Sequence, residues 1–446
     1  MDGSSSVLPA SIIWNSGQPD VELVSSSSSS PIIGDMRRLL RNPAHLHSVR
    51  HAAIRRIGVL QQQLGPGLAA KPLTVEQKFA FMTHIMEANL PASISAALSQ
   101  NDEGQLAGAI AILLSRLPSL DTLEIQTFDR TDDDEWTRSR PPGDPVVLLL
   151  GQLILSDSSA SFPNVTVVKV LVPSLEEDPD GEFKYYVYAD TVLSFFYLPR
   201  IRTLELHRVE DGGQPINWPV LGSTPSATNL EELVLSKVQL SEANVNQLLQ
   251  ASPNLKVLRW EHVIDAEYAG SWLNLASLQA SLETLKGSLE DFSFSLILWT
   301  STAIDCGEPG PWGIRGALAS LMSFERLRRL VVSLPVLLGW ESKNSPRLDE
   351  VLPTGIQRLT ITNEMFYWWH YRWDDLDWEG DGLNVPRWRS IEAKILEYLE
   401  GRPPNLEELR LELSTTGEDL RAQEVRNKLV SAGEACGINV TVELKP

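Results

Sequence analysis

One short phrase recurs along most of this 446-residue chain: an apolar anchor followed three and five residues later by two more apolar residues. It reads Leu117-Pro-Ser-Leu-Asp-Thr-Leu-Glu-Ile, then Phe162-Pro-Asn-Val-Thr-Val-Val-Lys-Val, Leu198-Pro-Arg-Ile-Arg-Thr-Leu-Glu-Leu, Ala227-Thr-Asn-Leu-Glu-Glu-Leu-Val-Leu and Ser252-Pro-Asn-Leu-Lys-Val-Leu-Arg-Trp. Weaker copies read Leu282-Glu-Thr-Leu, Phe324-Glu-Arg-Leu-Arg-Arg-Leu-Val-Val, Ile356-Gln-Arg-Leu-Thr-Ile and Pro404-Asn-Leu-Glu-Glu-Leu-Arg-Leu. The anchors at 120, 165, 201, 230, 255, 282, 327, 356 and 406 are separated by steps of 45, 36, 29, 25, 27, 45, 29 and 50. In each phrase the last two apolar residues share one face of a short strand, and the residues between and beside them share the other. One such strand cannot close a core, but strands stacked in parallel build a continuous apolar interior, and each return segment covers its outside.

The shortest steps match the roughly 20 to 29 residues of a leucine-rich repeat, and the longest fit repeats carrying insertions. The expected fold is therefore α/β: an irregular leucine-rich-repeat-type solenoid with all strands parallel. Return segments fit, since Val245, Leu248 and Leu249 between Glu242 and Ala251, and Ile391, Ile395, Leu396 and Leu399 further on, keep helical spacing. The fourth copy runs Leu230-x-x-Leu233-x-Leu235-x-x-Val238-x-Leu240, with Val238 where the general pattern has Asn or Cys, so no Asn ladder is expected. The core should hold Leu123, Ile125, Leu204, Leu206, Leu233, Leu235, Leu258, Leu330, Leu359, Ile361, Leu409 and Leu411.

Ahead of the repeats the texture differs. Residues 1–33, with six serines at Ser25 to Ser30 and no apolar period, read as a disordered tail. From Asp35, Met36, Leu39, Leu40, Leu46, Val49, Ala53, Ile57 and Leu60 recur at threes and fours, which predicts two helices joined at Asn42-Pro43. Further helical stretches start at Thr74 and Leu106, so 34–116 reads as a helical cap before a solenoid over 117–446.

The stretch Leu318-Ala-Ser-Leu-Met-Ser-Phe324-Glu-Arg-Leu327-Arg-Arg-Leu330-Val-Val, with Leu337-Leu338-Gly339-Trp340 and Leu348-Asp-Glu-Val-Leu352-Pro353-Thr-Gly-Ile356-Gln-Arg-Leu359-Thr-Ile361, resembles a recurrent block of fungal F-box-like leucine-rich-repeat proteins. Arg38-Leu39-Leu40-Arg41-Asn42-Pro43-Ala-His-Leu46 resembles the segment that opens their repeat region. The resemblance covers most of residues 34–446 and implies a substrate-holding repeat domain, with the Skp adaptor and a cullin as partners through an N-terminal F-box. Only Val7 to Ile13 resembles the opening of that box, and the serine run follows before the helices of an intact one.

Chemistry-bearing motifs are sparse. There is no P-loop, dinucleotide fingerprint, zincin motif or nucleophile elbow. His47 and His51 stand four apart without a third zinc ligand, and Asp375-x-Asp377-x-Glu379-Gly380 lacks the Glu that closes a calcium loop, where Pro386 stands. Cys306 and Cys436 are far apart, which excludes a disulfide framework and suits a reducing compartment, cytoplasmic or nuclear. Val146 to Leu155, the most apolar run, is half the roughly 20 residues that span a bilayer, and Met1-Asp2-Gly3 does not open a leader. The net charge of -20 makes nucleic acid a poor partner, although 34–64 carries +5 and leaves -25 to the rest. The acidic runs at Asp132 to Glu135 and Glu176 to Glu182 read as solvated insertion loops. The expectation is an intracellular, monomeric, non-catalytic protein-binding scaffold with no cofactor, metal, nucleic acid or membrane. Its rivals are an enzyme with a site in the insertions and a diverged structural paralogue without a ligand.

Strand alternation assigns the binding residues. With Leu204 and Leu206 inward, Thr203, Glu205 and His207 face the open side, and the same register exposes Val257, Arg259 and Glu261, Arg358 and Thr360, and Glu408, Arg410 and Glu412. The alternative anchor surface is Phe366 to Trp378, seven aromatics in 13 residues including Trp368, Trp369 and Trp373.

Overall fold

A computed structural model of the chain describes residues 12–13, 20–25, 40–41, 43–56, 73–100, 102–127, 129–130, 144–156, 162–172, 185–220, 224–265, 273–299, 314–340, 342–364, 389–414 and 420–445. Among them the fold is α/β, with parallel strands alternating with helices, in two compact units. The first holds residues 1–210 and 216–230, the second 211–215 and 231–446.

In the first unit, strands β1 (Ile12–Ile13), β2 (Asp20–Ser25), β3 (His51–Arg56), β4 (Thr122–Gln126), β6 (Val167–Leu171) and β8 (Thr203–His207) lie side by side in that order. All adjacent pairs from β2 onward are parallel, and β1 runs antiparallel to β2. Three short strands, β5 (Asp129–Arg130), β7 (Tyr185–Tyr188) and β9 (Val209–Glu210), form a separate ribbon in which β5 is antiparallel to β7. The expectation of parallel strands throughout is thus corrected at two places.

The second unit stacks β10 (Glu232–Val238), β11 (Val257–Asp265), β13 (Asp291–Trp299), β15 (Arg329–Val332), β16 (Arg358–Ile361), β17 (Glu408–Ser414) and β18 (Asn439–Lys445), every pair parallel. Two short strands, β12 (Leu273–Asn274) and β14 (Ile314–Arg315), pair on their own.

The register explains the phrase. Leu233 sits opposite Leu258, which sits opposite Phe292, then Leu330, Leu359, Leu409 and Val440. All twelve residues expected in the core are buried, most of them fully. A one-residue slip would turn each such row out to solvent, so the apolar pairs fix the register. The residue after each anchor also donates its N–H to the same residue one copy earlier: Thr166 to Asp121, Arg202 to Thr166, Glu290 to Lys256, Arg328 to Glu290, Gln357 to Arg328 and Glu407 to Gln357, all at 2.7–2.8 Å.

Several expectations change. His51–Arg56, read as helix, is a strand between β2 and β4, preceded by the helix Pro43–Ser48. Leu46, Val49, Ala52 and Ile54 are a copy of the phrase with Ala in place of Leu, and all four are buried. Pairing with both neighbours overrides the helix preference of the two alanines. His47 and His51 consequently belong to different elements and share no helix face. Within the stretch read as disordered tail, Asp20–Ser25 pairs with His51–Arg56 over six positions. Its Val21, Leu23 and intervening polar residues carry a period of two that the serine run obscures. The sixth copy anchors at Leu289, ahead of Phe292 and Phe294, because Leu282 ends a helix that starts at Leu275. The helices Val75–Ala88 and Asp102–Ser115 fall where the spacing puts them, with Ala92–Ser99 as an additional one between them.

Helices close the buried side, and their caps tie them to the strands. Pro145–Leu155 starts at Asp144, whose carboxylate accepts from Val146 N–H at 2.7 Å and from the Thr127 hydroxyl at 2.5 Å, immediately beyond β4. In the second unit Asp211 accepts from Ser241 N–H at 2.7 Å and Asn244 Nδ2 at 2.5 Å, where Glu242–Gln250 begins. Trp260 and Phe294, ring centroids 5.0 Å apart edge to face, fill the interior beneath.

Candidate binding face

Alternation along the strands leaves one side of each sheet to the helices and the other to polar residues. In the first unit, Glu124, Lys169 and Glu205 stand opposite one another on β4, β6 and β8, and Lys169 pairs with Glu205 at 2.9 Å. His207 lies one step further on β8, its Nδ1 accepting from Val172 N–H at 3.3 Å.

The second unit presents the longer display. Its first row across the strands is Glu232, Val257, Asp291, Arg329, Arg358, Glu408 and Asn439; its second is Val234, Arg259, Ser293, Val331, Thr360, Arg410 and Thr441. Arg259 bonds Glu232 and lies 3.8 Å from Asp291, which also meets Arg329 at 3.4 Å. Arg358 meets Glu408 at 3.8 Å, and Arg410 meets Glu443 at 2.5 Å and Glu412 at 3.5 Å. Partly exposed pairs of this kind contribute only about 0 to 1 kcal/mol each to stability, so a ladder of them sets charge pattern more than it holds the fold.

The expected site residues separate accordingly. Glu205, Arg259, Glu261, Arg358 and Arg410 stand on the open side as the alternation requires, each exposed or half-exposed. Glu412 shares that parity but is buried at 8%. It stands opposite Glu443 on β18, and Arg410 meets both. Trp368, Trp369 and Trp373 lie outside the described residues, as do the acidic runs, the segment at Asp375 and Cys306. Cys436 is a half-buried free thiol whose Sγ donates to the Leu399 carbonyl at 3.3 Å.

Asp291 escapes the sequence reading because a sixth anchor at Leu282 puts it out of phase, and Leu289-Glu-Asp-Phe-Ser-Phe carries the correct signal; Arg329, absent from the expected residues, stands where the alternation about Leu330 already puts it. On the buried side of β11, His262 is fully enclosed, and burial pushes its imidazole down to about 4 against the opposing pull of Asp211. It is neutral at pH 7 and faces the core. Among the described residues, no group of three or more His, Cys, Asp or Glu is placed to hold a metal ion, and no helix is long and apolar enough to cross a membrane. No protein-family model matches the chain, and no curated protein sequence matches it.

Proposed function

We propose that the protein is a non-catalytic protein-binding scaffold of leucine-rich-repeat type, and that the open strand face of the second unit is its binding surface. The observation that carries this reading is the pair of in-register rows, which offer arginines and carboxylates on successive strands at one fixed spacing. Charge-assisted hydrogen bonds from such a display suit a folded or extended polypeptide, and mixed signs do not suit a polyphosphate backbone. The polar residues of the face are engaged in ion pairs with one another, which favours recognition over proton transfer. The resemblance to F-box-like proteins adds the Skp adaptor and a cullin as proposed partners, with the bound polypeptide as a candidate substrate. Affinity capture of the full chain from the cell that makes it, followed by hydrogen-exchange footprinting with whichever protein is captured, tests this. Protection on β11, β13, β15 and β16 supports the reading, and protection confined to the helical side overturns it.

A further inference from the structure

In the first row of the second unit's open face, Asp291 on β13 stands directly opposite Arg329 on β15 and meets it at 3.4 Å, a pairing of opposite charges. The next strand breaks the rule. Arg358 on β16 stands directly opposite Arg329, and only then does Glu408 on β17 resume the alternation. Adjacent strands are about 4.8 Å apart, and like charges placed opposite each other on a sheet are destabilising.

Both arginines are open to solvent, with 48% and 62% of their side-chain surface exposed. Among the described residues, each meets a carboxylate on its outer side alone. Arg329 shares Asp291 with Arg259 at 3.4 Å, and Arg358 meets Glu408 only at 3.8 Å, beyond hydrogen-bonding distance. A guanidinium carries five donors, more than a single flanking carboxylate can accept.

We propose that the interval between Arg329 and Arg358 seats a single carboxylate, an Asp or Glu side chain from an acidic extended segment of the protein partner; this rests on the open face being the binding surface. One guest carboxylate restores alternation along the row from Asp291 to Glu408, and two facing guanidinium groups hold it by charge-assisted bonds. Asp291 and Glu408, one on each side, select against a doubly charged phosphate. The strand neighbours Val331, Thr360 and Ser293 are small side chains suited to contact with a peptide backbone.

The test is fluorescence polarisation of the full chain with a labelled Ser/Val peptide carrying glutamates, its glutamine counterpart, its phosphoserine counterpart and an oligothymidylate, at low and physiological salt. The glutamate peptide is expected to bind about tenfold more tightly than the glutamine one, and Arg329→Gln with Arg358→Gln should erase that difference. Arg347→Gln, an exposed arginine outside the strand rows, serves as the control and should leave it intact. Equal binding of the glutamate and glutamine peptides, an equal loss with Arg347→Gln, or tighter binding of the phosphoserine peptide or the oligonucleotide overturns the proposal. If Arg329→Gln with Arg358→Gln keeps a captured cellular partner that Arg259→Glu with Arg410→Glu releases, the carboxylate seat fails while the binding face stands. If neither variant releases it, both fail.

Discussion

The side-chain amide of Asn164 donates to the main-chain oxygen of Pro118 at 2.8 Å, although 46 positions separate them in sequence. Asn229 makes the same bond to Pro199, and Asn405 to Thr354, each at 2.8 Å. Each Asn directly precedes an anchor, and each acceptor lies two residues before the anchor of the preceding copy. The bonds therefore stitch one copy's turn to the next where no strand hydrogen bond reaches. An Asn series is present after all, in a different place from the Val238 position where the general pattern would put it.

Removing one stitch should have a measurable cost. Asn164→Ala leaves the partly buried Pro118 carbonyl without this donor and should lower stability by about 1 kcal/mol. Asn229→Asp should cost more, because it sets a carboxylate against the Pro199 carbonyl oxygen, whereas at Asn164 the Arg200 guanidinium donates to Oδ1 at 2.8 Å and would offset the change. Urea denaturation at pH 7 reads both, and an unchanged midpoint for Asn229→Asp would mean that the bond does not hold the turn.

The core rows predict a larger effect. Leu258 is fully buried, between Leu233 and Phe292 in register. Leu258→Ala should cost about 2 to 5 kcal/mol, the range for a buried Leu whose cavity only partly collapses. Val234→Ala, on the open side of the neighbouring strand, should cost much less under the same denaturation assay.

The N-terminal strand should matter to β3. Its pairing spans Asp20↔His51 to Ser25↔Arg56, so deleting residues 1–25 turns β3 from an inner strand into an edge. Amides of β3 that bond toward β2 should then exchange faster, with a lower melting temperature. Unchanged exchange and an unchanged melting temperature would return the segment to the status of a dispensable tail.

A pH dependence follows from His262. Its folded value of about 4 lies below the ordinary 6.5, so between those values the unfolded chain binds more protons than the folded one. Stability should therefore fall as pH drops from 6.5 toward 4, with a contribution of about 3 kcal/mol from this residue once both forms are protonated. To isolate this imidazole, the measurement compares the wild-type chain with His262→Leu. The gap in their stabilities should shift in favour of the variant between pH 7 and pH 4.5, and a gap independent of pH would contradict the assignment.

Much of this fold is legible in the sequence because the leucine phrase encodes strand, face and register together: Leu233, Leu258, Leu330, Leu359 and Leu409 need nothing beyond alternation. Legibility ends where small residues stand in for leucine. Ala52 disguises the first full copy as helix, and Gly437, three residues before the buried Val440, disguises the last. Both rely on neighbouring strands to impose their conformation, which no local pattern records. The open face reads correctly at Arg259, Arg358 and Arg410, which simple alternation places there. Alternation does not report that Glu412 is buried, and it is incomplete at Asp291, where a helical Leu282 mimics an anchor.

Recognition through the open face is the central claim, and charge reversal there is the decisive measurement. Arg259→Glu with Arg410→Glu replaces two cations that are partly exposed and paired with acids, Glu232 and Asp291 in one case and Glu443 and Glu412 in the other. The expected result is a double variant with the circular dichroism and cooperative unfolding of the wild-type chain that no longer captures the partner recovered by the unaltered protein. Capture at wild-type strength by the folded double variant would contradict the claim and move recognition off the strand face.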